Sequence, residues 1–277
     1  MDFEQFVAQH YMHGSLESTI LEGLSASGKD IDRLMLADLA PVDEFHIGGR
    51  QATIDFAAEL EIKPGLHLLD IGAGLGGASR YFADEYGCQV TGIDLTEEYV
   101  QVAKALAIRV GLQNKVSYSQ GSALALPFAS GTFDGAYMLH VGMNIEDKEN
   151  LFTEVRRVVK WGGVFGIYDV MYEGRERNLR FPVPWASVPE TSFVESAITY
   201  RRLLESTGFL VRKERSRRAF AIEFFKQMRV RAEQSGGPPP LGLHLLMGGS
   251  APQKVANMID ALQGGLIAPT EIICRAL

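Results

Sequence analysis

A glycine-rich turn and a carboxylate downstream of it are the residues best suited to bind a ligand. The turn, Gly72-Ala73-Gly74-Leu75-Gly76-Gly77, directly follows the apolar run His67–Ile71. Glycines there allow a tight turn and close approach of the backbone to a ligand, ahead of a helix N-terminus. Asp94 ends the next apolar run, 22 residues after Gly72, where a carboxylate can accept hydrogen bonds from a ribose diol. Together they predict a nucleoside-binding site.

Two classes of nucleoside ligand fit this pattern. Gly72, Gly74 and Gly77 satisfy the G-x-G-x-x-G spacing, which is typical of nicotinamide oxidoreductases. Asp70, two residues before the first glycine, weighs against a pyrophosphate and suits a cationic, phosphate-free ligand. The segments 126–134 and 155–163 also weigh against the oxidoreductase. The sequence therefore favours a cationic nucleoside and leaves the oxidoreductase open.

The elements that must position these residues alternate along the chain from about residue 50. Apolar runs predict strands, and apolar residues three and four apart predict helices between them. The strands are predicted at 67–71, 88–95, 116–120, 133–139, 164–170, 209–213 and 267–274. Such alternation is typical of right-handed βαβ units. We predict an α/β fold with a Rossmann-like, doubly wound, mostly parallel seven-stranded sheet, helices on both faces and a helical cap.

The flanks of the chain differ from this core. Residues 1–50 carry helical periodicity and no convincing strand, and the regions 219–233 and 253–262 are helical again. We expect four segments. They are an N-terminal helical lid (1–50), a core (51–215), a helical cap insertion (216–264) and a closing strand of the core (265–277).

Composition limits the classes of function. The chain has 277 residues, 46% of them hydrophobic, and a net charge of −7; an acidic total argues against nucleic-acid binding. Two cysteines, Cys88 and Cys274, cannot supply a disulfide framework and favour a reducing compartment. The N-terminal residues lack a signal-peptide pattern, and prolines and glycines interrupt the longest uncharged stretch. We expect a cytoplasmic enzyme without integral membrane association or a bound metal, and leave homodimerisation open.

The glycine turn, its flanking aspartates and the segment Val155–Gly163 together resemble the class I S-adenosylmethionine-dependent methyltransferases, over about residues 64–170. This resemblance implies that the turn cradles the methionine part of the cofactor, that Asp94 binds the ribose, and that Leu95 packs on the adenine. Ser122 stands where the family often has the aspartate that holds the adenine amine. The implied cofactor residues are Asp70, Gly72, Gly74, Gly76, Asp94, Leu95, Ser122, Ala123 and Leu139.

A narrower resemblance covers most of the chain. The segments 43–50, 138–145 and 181–185 are similar to bacterial sarcosine and dimethylglycine N-methyltransferases. They imply in-line transfer of a methyl group from S-adenosylmethionine to an amine nitrogen of a small molecule, with S-adenosylhomocysteine as product. One alternative is O- or C-methylation of a larger apolar or phosphorylated molecule, which a large dry pocket under the cap would favour. A nicotinamide oxidoreductase and a non-catalytic cofactor-binding protein are the alternatives from other classes.

The acceptor site should lie beside the fourth predicted strand. His140 follows that strand and could act as a base or bind the acceptor. Tyr11 and Trp185 offer aromatic faces, which favour cationic ligands. We predict His140, Tyr11 and Trp185 as the catalytic set. His46 is a further candidate, and Asn144 either orients the acceptor or caps the next helix.

Overall fold

A seven-stranded sheet with the order β3-β2-β1-β4-β5-β7-β6 organises the chain in this computed structural model, which describes residues 3–12, 14–234, 237 and 239–277. The strands are β1 His67–Ile71, β2 Gln89–Asp94, β3 Val116–Gln120, β4 Phe133–Leu139, β5 Val159–Tyr172, β6 Phe209–Ser216 and β7 Ile267–Ala276. Strands β1 to β5 pair in parallel, and β7 runs antiparallel to both of its neighbours. The predicted fold class is confirmed.

Helices connect these strands and cover the sheet. They are α1 Phe3–Tyr11, α2 Leu16–Ala26, α3 Leu36–Asp43, α4 Gly49–Glu59, α5 Gly77–Glu85, α6 Glu97–Arg109, α7 Lys148–Val158, α8 Ala197–Ser206, α9 Arg218–Gln234, α10 His244–Met247 and α11 Ala251–Gln263. Short 3-10 turns occur at Gly142–Asn144, Pro189–Thr191 and Gly248–Ser250. Within the described ranges, none of these helices has both the length and the apolar character to cross a membrane.

The alternation of side chains along the strands builds two apolar layers. On β4, Met138 packs with helices α7 and α8 on one face, whereas Tyr137 and Leu139 pack with α4, α5 and α6 on the other. This follows from the two-residue period of a strand. Both faces of the parallel part of the sheet are thus buried, so a ligand can reach the sheet only at the ends of its strands.

The N-terminal helices and the cap meet over one end of the sheet. Leu16 of α2 and Leu39 of α3 share an apolar cluster with Leu106 of α6 and with Leu241 and Leu246 near α10. Helices α9 and α11 pack in a separate cluster on the C-terminal end of β5, at Val170, and on the start of β7, at Ile267. These two clusters cover the region beyond the carboxyl ends of the parallel strands.

Strand β5 begins five residues earlier than the sequence pattern indicates. We expected it to begin at Val164, but β5 begins at Val159, which pairs with Phe133 of β4 ahead of a register shift. The glycines of the segment 160–163 break the apolar run without ending the extended backbone. Helix α7 stops directly before the strand, and its first turn is capped by Asp147, which accepts a 3.0 Å hydrogen bond from the Asn150 N–H.

Candidate cofactor and acceptor site

A cavity of about 2130 Å³ opens at the carboxyl ends of β1, β2 and β4. Side chains of α1, α9, α10 and α11 line its opposite side, which we call the roof of the cavity. Ligand sites for small molecules usually measure roughly 300–1,000 Å³. The cavity therefore has room for a cofactor and a second, large molecule. Its position is where a doubly wound sheet is expected to bind ligands.

The glycine turn forms one wall of the cavity. Gly72, Gly74 and Gly76 have φ values of 67°, 55° and 77°, in the left-handed region that favours glycine. A Cβ on Gly72 would lie 2.5 Å from a methyl group of Val141, and one on Gly76 would lie 2.3 Å from the Tyr118 hydroxyl. Gly72 and Gly74 line the cavity, but Gly76 does not. Gly76 instead caps the N-terminus of α5 and closes the turn.

Asp94 is held beside this turn by two backbone hydrogen bonds. Its Oδ2 accepts from the Gly74 N–H at 2.8 Å, and its Oδ1 accepts from the Thr96 N–H at 2.9 Å. Each carboxylate oxygen keeps a further lone pair for a ligand. Burial raises the pKa of Asp94, although these hydrogen bonds oppose the shift. The geometry suits binding of a diol.

Several buried carboxyl groups make this end of the cavity electronegative. Burial raises the pKa of Asp70 to about 7, although Ser79 donates a 2.6 Å hydrogen bond to its Oδ2. The charges of Asp94 and Glu44 contribute to this rise of the Asp70 pKa. A positively charged ligand would favour the ionised form of Asp70, whereas a pyrophosphate would be repelled. The site thus suits a cation.

The remaining predicted cofactor residues form the adjoining wall. Leu95, Ala123 and Leu139 line the cavity together with Ser122. The Ser122 hydroxyl donates a hydrogen bond to the carboxylate of Glu4 in α1 and accepts one from the Leu124 N–H at 3.0 Å. No local sequence pattern marks Glu4 as a site residue, because 118 residues separate it from Ser122.

His140 lies where the acceptor is expected, directly after β4. It has a φ of 56°, unusual for a residue other than glycine. The Ile47 N–H donates to its Nδ1 at 3.4 Å, and Nε2 has no hydrogen-bond partner among the described residues. In a neutral ring, Nε2 therefore carries the hydrogen and is available as a donor. Burial lowers the pKa of His140 well below 6.5, and repulsion from His46 in its protonated form acts in the same direction.

His46 has the complementary arrangement. Its Nε2 lies 2.9 Å from Glu44 Oε2, which also accepts a 2.7 Å hydrogen bond from Thr53. An ionised carboxylate only accepts, so His46 Nε2 donates, and Nδ1 has no hydrogen-bond partner in the described part of the chain. Burial would raise the pKa of Glu44, but His46 and then Arg50 hold it below its usual value. Glu44 thus orients the ring of His46 and leaves the lone pair of its Nδ1 available.

Aromatic and amide side chains complete the acceptor wall. Asn144 does not cap a helix; its Nδ2 donates to the Tyr11 hydroxyl at 2.9 Å. Burial raises the pKa of Tyr11, so that this group stays a phenol. Trp185 is buried, and its Nε1 donates to Ser192 Oγ at 3.0 Å. All three line the cavity with His46 and His140, so the structure brings the predicted catalytic set together.

Replacing His140 with glutamine should make stability less sensitive to acid. Because the folded-state pKa of His140 is lowered, the unfolded chain binds more protons below pH 6.5, so this contribution to stability is lost as the pH falls. Between pH 7.5 and 5.5, the free energy of unfolding of the wild type should fall by about 1 kcal/mol more than that of His140→Gln. Urea denaturation of both proteins measures this, and equal pH slopes would contradict the burial of a neutral histidine.

The sequence of residues 69–167 matches the family model of the methyltransferase domain. The chain is 36% identical over 113 residues to a sterol 24-C-methyltransferase of Gibberella zeae, covering 41% of this chain and 30% of that protein. It is 27% identical over 174 residues to an O-methyltransferase of Aspergillus sclerotiorum, covering 63% and 66%. It is 34% identical over 134 residues to the ajmaline N-methyltransferase of Rauvolfia serpentina, covering 44% and 46%. The chain thus spans less than two thirds of the length of these relatives.

Solved structures share the whole fold. The [4+2]-cyclase SpnF has a TM-score of 0.69 and 22% identity, covering 99% of this chain and 96% of that one. Geranyl diphosphate C-methyltransferase from Streptomyces coelicolor A3(2) has a TM-score of 0.72 and 15% identity, covering 100% and 98%. Together with the family match, they confirm the resemblance. Residues 69–167 thus match a methyltransferase domain, and the chain has the fold of these solved structures.

Proposed function

We propose that this protein transfers a methyl group from S-adenosylmethionine to a large, mainly apolar small molecule. The observation that carries the proposal is the cavity of about 2130 Å³, which combines the glycine turn and Asp94 at one end with an apolar roof at the other. The sequence relatives include C-, O- and N-methyltransferases. They support methyl transfer to a small molecule. Because they methylate carbon, oxygen and nitrogen, the kind of acceptor must be argued from the residues that line the cavity.

The charge of the cofactor end supports S-adenosylmethionine over a nicotinamide dinucleotide. When bound, S-adenosylmethionine supplies a methyl group on a positively charged sulfur. Asp94 would accept hydrogen bonds from the ribose diol, and the buried Asp70 would stabilise the positive charge. Gly72 and Gly74 leave room for the methionine part. The same carboxylates disfavour a pyrophosphate, which counts against the oxidoreductase.

The apolar roof supports a large acceptor. Aromatic and aliphatic side chains from the cap line the cavity: Phe220, Phe224, Phe225, Met228, Leu241, Leu243, Leu246, Val255, Met258 and Ile259. Burying apolar ligand surface against such a wall contributes about 25 cal/mol per Å². The structural relative from Streptomyces coelicolor was solved with geranyl diphosphate, itself an apolar chain with a polar end. A terpenoid, sterol-like or polyketide acceptor would fill this space.

Methylation of a small amine is the competing proposal. Glycine, sarcosine and dimethylglycine would contact His140, Tyr11 and Trp185, as the sequence resemblance implies. They are far smaller than the cavity and would leave the apolar roof in contact with water. The size and lining of the cavity therefore favour the larger acceptor, which we take to be a free molecule in the cytoplasm.

Two of the histidines that line the cavity, His46 and His140, divide the acceptor chemistry between them. His140 Nε2–H would donate to an oxygen of the acceptor and orient it toward the methyl group. His46 Nδ1 would take the proton that an attacking hydroxyl or ammonium must lose, while Glu44 stabilises the resulting imidazolium. In-line transfer depends mainly on such positioning.

Filling the apolar part of the cavity should abolish binding of an apolar probe. Val255 and Ile259 lie four residues apart on α11 and both line the cavity. We expect Val255→Trp/Ile259→Trp to weaken Nile red binding about tenfold or more, a loss of about 1.4 kcal/mol. Fluorescence titration of protein saturated with S-adenosylhomocysteine measures this.

The control carries two tryptophans outside the cavity wall. Val230 and Gln234 are also four residues apart, on α9, and neither lines the cavity. Val230→Trp/Gln234→Trp should bind the dye like the wild type. A wild type that does not bind the dye, or equal binding by both variants, would contradict an apolar acceptor site.

A further inference from the structure

We infer that Glu4 of the N-terminal helix recognises the 6-amino group of the cofactor's adenine. The inference rests on the proposed function and deepens it, because it assigns the purine contact to a residue far from the core. Three observations carry it. They are the direction in which the purine must lie, the hydrogen-bond state of Ser122, and the anchoring of α1.

The order of the strands fixes the direction. Asp94 ends β2, and β3 lies on the side of β2 that faces away from β1. With the methionine part on the turn after β1 and the ribose on Asp94, the purine extends toward the end of β3. Leu95, Ser122 and Ala123 line the cavity there, and so does Glu4.

Ser122 has already used its hydrogen. Its hydroxyl donates to Glu4 and accepts from the Leu124 N–H. A hydroxyl has one hydrogen, whereas a carboxylate has about four acceptor positions. Glu4 therefore keeps acceptor capacity toward the cavity and is suited to an exocyclic amine. A hypoxanthine base has an oxygen at that position, which the carboxylate would repel.

Helix α1 is anchored at its other end. The Tyr11 hydroxyl is hydrogen-bonded to Asn144, and His10 Nε2 lies 3.2 Å from the Pro184 carbonyl oxygen. The helix thus runs from the purine end of the cavity to its acceptor end. Because Ser122 and Asn144 hold its two ends, Glu4 is positioned before any ligand arrives.

The test compares S-adenosylhomocysteine with S-inosylhomocysteine, which replaces the 6-amino group with an oxygen. Calorimetry should show that the wild type prefers the adenine compound by about 10- to 100-fold, as expected for a hydrogen bond to a charged group. Glu4→Gln should lose most of this preference, since its amide can donate to the 6-oxygen. Glu22→Gln, an exposed change on α2 that does not line the cavity, should keep it.

The possible failures are distinguishable. If Glu4→Gln keeps the full preference, or weakens both compounds equally, the role of Glu4 is wrong while the proposed function stands. If the wild type binds neither compound, the proposed function itself is overturned.

Discussion

Replacement of Asp94 with alanine should weaken the binding of S-adenosylhomocysteine by at least about 100-fold. A hydrogen bond to a charged group contributes about 1.5–3 kcal/mol, and a ribose diol makes two. The substitution also removes the acceptor of the Gly74 N–H, which holds the glycine turn in place. Isothermal titration calorimetry at fixed pH and salt measures the change.

Two further variants separate the diol contact from general damage. Asp94→Asn keeps one acceptor oxygen and should lose less affinity than alanine. Asp84 is exposed on α5 and lies outside the cavity wall, so Asp84→Ala should bind like the wild type. An Asp94→Ala protein within about threefold of wild-type affinity, well under 1 kcal/mol, would remove Asp94 from the cofactor site.

Replacement of Arg80 with methionine should lower the free energy of unfolding by about 3–5 kcal/mol, as expected when one partner of a buried ion pair is removed. Arg80 is fully buried on α5. Its Nη2 lies 2.6 Å from Asp43 Oδ2, and its Nη1 donates to the Leu75 carbonyl at 2.8 Å. Burial raises the pKa of Asp43, and the charge of Arg80 opposes the shift. Without Arg80, Asp43 must protonate or stay charged in the core.

Urea denaturation with two controls tests this prediction. Arg109→Met breaks a half-exposed ion pair with Glu17, 3.4 Å long, and should cost less than about 1 kcal/mol. The double variant Arg80→Met/Asp43→Leu should recover part of the loss, because no charge is left unpaired. A loss below about 1 kcal/mol for Arg80→Met alone would show that the pair does not hold α3 against α5.

The sheet and the glycine turn could be predicted because their signals are local. Three local signals predict them: the short apolar runs of the strands, the glycines of 72–77 and the aspartate that ends β2. Each of these signals lies within a few residues of the feature that it predicts. The extra residues of β5 could not be predicted, because glycines there interrupt the apolar run while pairing with β4 maintains the strand.

The acceptor side could be predicted only in part. His140 is predicted because it follows a strand, and it lines the cavity. The pairing of His46 with Glu44 depends on side-chain orientation within a buried turn. The contact of Glu4 with Ser122 depends on where α1 packs. The volume of the cavity depends on how α9 and α11 pack over the sheet, which no local pattern records. For this reason the sequence favoured an amine, whereas the cavity favours a larger acceptor.

Transfer of a labelled methyl group tests the central claim most directly. The purified protein is incubated with S-adenosylmethionine carrying a deuterated methyl group and two pools of acceptors, which are analysed by mass spectrometry. One pool holds terpenoids, sterols and polyketides, and the other holds glycine, sarcosine, dimethylglycine and phosphoethanolamine. We expect label in the apolar pool, with S-adenosylhomocysteine released. Label confined to the amine pool would contradict the apolar acceptor. Conversion of an acceptor into a new product that carries no label would contradict methyl transfer itself.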